Sequence, residues 1–180
     1  MPTVMPTSTE LVEPQALIFE DDGSIPNNPR LPLLIYRNAI DVSGTPDRES
    51  VIEAVFAEHG WGEMWRNGIH PYVHYHSAVH EVLAIARGRA TVRFGGKQGR
   101  EIVLSPGDVA VLPAGTGHQC VWKGPDLMVI GAYPPDGRYD LCRGSKAEHA
   151  KALTRIPQVP VPKTDPVYGV NGPLRRLWRA

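Results

Sequence analysis

The chain has 180 residues and carries 19 Lys and Arg against 19 Asp and Glu, a formal net charge of zero. That balance argues against nucleic acid or an anionic membrane surface as the main partner, and no apolar run approaches the ~20 residues a membrane helix needs. Two cysteines, Cys120 and Cys142, are too few for a disulfide framework, and the first ten residues lack the charged and apolar regions of a signal peptide, so the cytoplasm is the expected compartment.

One domain is the simplest organisation at this length. Gly and Pro number 18 each, and such frequent punctuation suits an all-β fold with many turns. Residues 1–13 are polar and rich in Pro and Thr and read as a loose N-terminal arm. Residues 16–20 and 33–36 are strand candidates, separated by a Pro-punctuated loop over 21–32. The spacing predicts a helix over 47–58, with Thr45 as its cap, Pro46 in its first turn and Gly60 at its end. Val51, Ile52, Val55 and Phe56 form its apolar stripe, and Trp61 and Trp65 are expected to pack beneath it.

From residue 72 the pattern becomes strand, turn, strand: 72–76, 81–87, 90–94, 101–104, 109–112, 118–122 and 127–133. Short strands at this spacing read as a sandwich or barrel. Ser145 and Glu148 are a candidate capping box for a short helix to about residue 154. Prolines 157, 160, 162, 166 and 173 mark an extended tail laid on the surface. No internal repeat occurs. The layout expected is an arm over 1–13, N-terminal strands and a helix packing on a barrel over 14–66, the barrel core over 67–135, and a short helix with a wrapped tail over 136–180.

The densest chemistry lies at residues 70–81, where His70, His74, His76, His80 and Glu81 fall within twelve positions. In a strand, His74 and His76 point to one face. A turn over 77–80 and an antiparallel strand from Glu81 would return the carboxylate to those two rings. A second stretch, 107–118, combines a buried strand, a Pro-Ala-Gly turn and His118.

These residues resemble the cupin superfamily. Gly68, His74, His76, Glu81 and Gly88 match G-x5-H-x-H-x4-E-x6-G, and Gly107, Pro113, Gly115 and His118 match G-x5-P-x-G-x2-H. The second motif usually ends in asparagine, where this chain has Trp122. More narrowly, residues 26–36, 65–68, 131–134 and 165–174 resemble the uncharacterised YjlB-like bacterial cupins. The resemblance implies an all-β fold, a single double-stranded β-helix or jelly-roll barrel with one N-terminal helix, and a metal site at His74, His76, Glu81 and His118. The narrower likeness implies no known reaction.

Three imidazoles and a carboxylate suit one divalent transition metal: Fe, Mn, Ni or Zn. With neutral rings and ionised Glu81, a 2+ ion leaves the site at +1 and favours an anionic oxygen ligand. His80 is the candidate acid–base residue, against the plainer reading of a surface turn histidine. His70 reads as structural. Tyr72, Leu83, Cys120 and Trp122 share parity with the ligands and are expected to line the interior, as pocket wall or as core. Cys120 reads more simply as a small buried hydrophobe. Arg66 could meet a substrate carboxylate or form a surface ion pair. The function expected is a metal-dependent enzyme on a small anionic molecule, such as an oxygenase, isomerase or lyase; the alternative is a non-catalytic metal-dependent binding or sensing protein. Exposed sheet edges point to a homodimer.

Overall fold

Two apolar runs show no alternation, residues 82–86 and 109–112, and strands that read this way are covered on both faces. The computed structural model, which describes residues 10–179, shows what covers them. In chain order it contains β1 (Gln15–Leu17), β2 (Leu33–Tyr36), α1 (Arg48–Glu58), β3 (Gly62–Asn67), β4 (Glu81–Arg87), β5 (Ala90–Phe94), β6 (Arg100–Leu104), β7 (Val109–Leu112), β8 (His118–Lys123), β9 (Met128–Tyr133), α2 (Lys146–Arg155) and α3 (Pro173–Leu177). The strands form two antiparallel sheets, ordered β1-β2-β7-β4-β9-β3 and β6-β5-β8.

Strand parity sorts the core. Leu33, Ile35, Leu83, Ile85, Ala110, Leu112 and Val129 turn inward and meet Val92, Phe94, Ile102, Leu104 and Cys120 from the small sheet. Their neighbours Leu34, Tyr36, Val82, Ala84, Val109, Val111, Ile130 and Ala132 turn outward. That outer face is buried under Ile52 and Phe56 of α1, Trp61, Leu174 and Trp178. Truncating a buried phenylalanine such as Phe56 costs about 3–5 kcal/mol. Glu81 shares the inward parity of Leu83 and Ile85, and this places its carboxylate inside the barrel.

Several expectations change in detail. Three strands of the larger sheet come from residues 15–67, so no boundary at 67 separates a packing layer from the barrel. Asp47, not Thr45, caps α1: its side chain accepts from Ser50 N, while Thr45 Oγ1 accepts from Asp47 N. The capping box of α2 forms as read, with Ser145 and Glu148 bonded reciprocally. Residues 72–76 make no regular strand; His74 and Tyr75 form single antiparallel bridges to His118 and Cys142.

The C-terminal segment is more than an extended strap. It turns through Asp165, pairs Asp165 with Gly169, and ends in α3. Asp165 is fully buried and accepts from Val167 N (2.8 Å), Tyr168 N (3.1 Å), Leu174 N (3.1 Å) and the Tyr36 hydroxyl. A Cβ on Gly172 would lie 2.3 Å from Asp165 Cβ, so only glycine lets the chain pass here. Trp178 is 1% exposed and donates its indole N–H to Pro32 O. Residues 1–9 of the expected arm lie outside the described residues; Val12 N bonds Tyr168 and Glu13 pairs with Arg176.

Candidate metal centre

His74, His76 and His118 are buried, and one nitrogen from each lies within 4.8 Å of the other two. Backbone pairing brings them together. His74 and His118 exchange both main-chain bonds, His74 N to His118 O at 3.1 Å and His118 N to His74 O at 2.9 Å. Their rings stand 4.0 Å apart between centroids. Glu81 arrives from the start of β4 and faces two of the rings, at 3.3 Å from His76 Nε2 and 3.4 Å from His118 Nε2.

The other ring nitrogens decide what these atoms can do. His74 Nδ1 bonds Tyr72 O at 3.0 Å, His76 Nδ1 bonds Asp140 O at 2.5 Å, and His118 Nδ1 bonds Thr116 O at 3.0 Å. A carbonyl only accepts, so each Nδ1 carries the proton and each neutral ring turns an Nε2 lone pair inward. This is the arrangement by which outer partners orient metal-ligating histidines. Asp140 also fixes the following turn: its carboxylate accepts from Ser77 N (2.8 Å), Ala78 N (3.2 Å) and the Ser77 hydroxyl.

Without an ion the rings divide, His74 toward the neutral form and His76 toward the charged one. Burial, then the facing His118, pushes His74 down to about 2. Burial opposes charge on His76, but the Glu81 carboxylate outweighs it and raises that ring's pKa. Burial likewise disfavours the Glu81 carboxylate, yet His76 and His118 together hold it well below the usual carboxylate range. The donors fit a divalent first-row metal in type and number. Neighbouring ligands with ~2.1 Å bonds lie roughly 3.0–3.4 Å apart, and the two Glu81 separations match that spacing.

The cluster opens into a cavity of about 380 Å³ lined by Glu63, Trp65, Asn67, Gly68, Ile69, His70, Leu83, Tyr133 and Tyr139 with the four site residues. Of the expected lining, Leu83 is present. Tyr72 lies beside the cavity instead, stacked on His70 at 4.7 Å and under the Arg143 guanidinium at 3.6 Å. Cys120 is packed in the barrel core, its thiol donating to Trp122 O. Trp122 is 54% exposed, because β8 carries one extra residue between Cys120 and Trp122 relative to β5. Such a bulge breaks the alternation on which its inward reading rested.

His80 is not an acid–base group of this cavity. It is fully buried, Nδ1 accepts from Ala114 N at 2.8 Å, Nε2 donates to Pro160 O at 3.1 Å, and the ring packs on Trp178 at 4.9 Å. Adjacent to Glu81 and of opposite parity, it serves the outer face. Arg66 turns outward to Glu53 of α1 at 2.5 Å. His70, read as structural, lines the cavity 4.9 Å from the His74 ring. Trp65, expected beneath α1 with Trp61, instead packs on the barrel interior and lines the cavity; Tyr133, Tyr139 and Asp140 were not anticipated.

The family description "Cupin domain" matches residues 60–130. The uncharacterized protein YjlB of Bacillus subtilis (strain 168) is 40% identical over 166 residues, spanning 92% of this chain and 97% of that protein. Among solved structures, acireductone dioxygenase from Bacillus anthracis, with a cadmium ion in its active center, is similar at 17% identity and TM-score 0.39, covering 58% of this chain and 80% of that one. A mutant of Bacillus subtilis oxalate decarboxylase OxdC is similar at 18% identity and TM-score 0.35, covering 64% of this chain and 24% of that one.

Proposed function

This chain belongs to the cupin family, and from that premise we propose that it is a metal-dependent enzyme acting on a small organic molecule that reaches the metal through an oxygen donor. One observation carries the reading: three histidines with their protons held on Nδ1 aim three Nε2 lone pairs at one point, at the floor of a cavity. His74, His76 and His118 would hold the ion, with Glu81 as the fourth donor. A divalent ion supplies Lewis acidity, and iron would add one-electron oxygen chemistry.

The chain's own residues do the rest. Ionised Glu81 and three neutral rings set a 2+ site at +1, which favours an anionic oxygen. Burial, then the Glu81 carboxylate, raises the Tyr133 hydroxyl well above its ordinary pKa. Tyr133 therefore keeps its proton at neutral pH and can donate it in a hydrogen bond to a bound oxygen. Leu83, Ile69 and Trp65 keep much of the wall apolar, which limits water. The alternative, a non-catalytic binding protein, draws on the engagement of His80, which leaves His70 as the one imidazole outside the ligand set that lines the cavity among the described residues.

The test is elemental analysis of protein purified without added metal, followed by turnover and oxygen-uptake assays on the loaded protein against small hydroxy acids, amino alcohols and diols. Substrate-dependent turnover that disappears in His118→Ala supports the enzyme. Tight reversible binding with no turnover under any metal leaves the binding protein. A homodimer is part of the same proposal: Val103, Val121 and Trp122 are exposed on the small sheet, which has an open edge at β6. Light scattering that returns a monomer at micromolar concentration rejects it. Free Cys120 and Cys142 suit the reducing cytoplasm, and no helix among the described residues is long and apolar enough to cross a membrane.

A further inference from the structure

The aromatic wall beside the histidines has a chemistry of its own. Trp65 lies against Gly131, where a Cβ would come within 2.0 Å of the indole. Its N–H donates to the Tyr133 hydroxyl at 3.0 Å. The Tyr133 ring meets Tyr139 edge-on at 5.8 Å, and Tyr139 leans on His76 at 5.1 Å. Three aromatic rings thus form one connected surface from the metal site outward.

Glu63 stands on the same wall. It lines the cavity two residues before Trp65, in a stretch of β3 that carries one extra residue relative to β9. Its φ is +53°, in the left-handed region that a β-carbon disfavours. Strain held at a bulge beside a cavity is a common way to aim a functional side chain. Among the described residues no Lys, Arg or His forms an ion pair with the Glu63 carboxylate, and no Lys or Arg lines the cavity.

An anion could find a positive partner here only at the metal. A cation would find an exposed carboxylate and three aromatic rings, the combination that binds organic ammonium groups. We propose that the outer part of the cavity is a binding site for an ammonium group, so that the ligand is a small molecule with an oxygen donor at one end and an amine, methylated or not, at the other. The oxygen end rests on the metal reading above; the amine end does not.

The test uses choline and its uncharged carbon isostere, 3,3-dimethylbutan-1-ol, as probes on the full chain. Binding is followed by the indole N–H signal of Trp65 in the nitrogen–proton spectrum, assigned with Trp65→Phe, on metal-stripped and metal-loaded samples. The expected result is about tenfold tighter binding of choline, the scale of a cation–π contact reinforced by a carboxylate. Glu63→Gln should reduce that preference to about threefold or less with unchanged metal content. Equal binding of the two probes, a Trp65 signal that neither moves, or a preference that survives Glu63→Gln overturns the proposal. Metal content on the same samples separates the two readings. A choline preference without metal uptake sinks the metal centre alone, and full metal uptake without the preference sinks the amine site alone.

Discussion

Two buried polar clusters sit on opposite faces of the large sheet, and they are finished differently. On the outer face, every hydrogen-bonding position of the Asp165 carboxylate is taken by the chain itself, through three backbone N–H groups and the Tyr36 hydroxyl. On the inner face, Glu81 and three Nε2 atoms turn acceptors toward one another. Acceptors aimed at acceptors repel; a proton between His76 and Glu81 relieves one such pair, and a divalent cation would relieve them all at once. The first cluster is complete as architecture. The second is left open to a cation. Burial alone does not separate them; the count of donors does.

The sharpest way to break this contrast is to remove one candidate ligand. His118→Ala or His76→Ala should lower metal affinity by at least about 100-fold, beyond the ~10–100-fold typical of outer partners, while circular dichroism stays unchanged. A variant that retains one metal per chain would refute the ligand set. Asp165→Ala should do the opposite, leaving metal per folded chain unchanged while costing at least about 3 kcal/mol in chemical denaturation, because buried donors lose their acceptor.

His80 extends the satisfied class to a titratable group. Burial holds its folded pKa down to about 4, against about 6.5 in the unfolded chain. Between those values the unfolded state binds the extra proton, so His80's contribution is complete above about pH 6.5 and is lost as pH falls through 4. Unfolding of metal-free protein at pH 7.5, 5.5 and 4.5 should show the decline, and His80→Gln should make it less steep, the remainder coming from His74, which titrates in the same direction. A smaller effect is expected at Asp140, whose carboxylate holds the Ser77 turn while its backbone carbonyl, kept in any variant, holds His76: Asp140→Ala should weaken metal by less than about 10-fold, read by chelator competition. Smallest of all, Trp122→Ser should change stability by less than about 0.5 kcal/mol and leave metal content alone, since the ring is outside the cavity.

The same contrast explains what was legible beforehand. His74, His76, Glu81 and His118 could be read because a side chain's identity and its parity are both written locally. Glu81 reached the barrel interior because β4 pairs without a register shift from Glu81 to Ile85. His80 was misplaced for a related reason: its partners, Ala114 N and Pro160 O, are main-chain atoms far along the chain, and backbone groups leave no trace in residue type. The three Nδ1 acceptors were hidden in the same way. Trp122 was misplaced by a single extra residue in β8 that carries no Gly or Pro to announce it. β3, with sequence Gly-Glu-Met-Trp-Arg-Asn, lacks the apolar alternation that marks a strand, and with it the aromatic wall went unseen.

The reciprocal main-chain bonds between His74 and His118 also bear on kinetics. Two ligands on one flexible loop could let go of an ion one at a time. Here the two rings ride on paired backbones at the seam of the barrel, so their separation changes little unless that pairing opens. Exchange of a bound ion is then governed by how often the seam breathes, and its residence time should track the protection of the His74 and His118 amides against hydrogen exchange. A chelator present in large excess would strip the protein no faster than that opening allows.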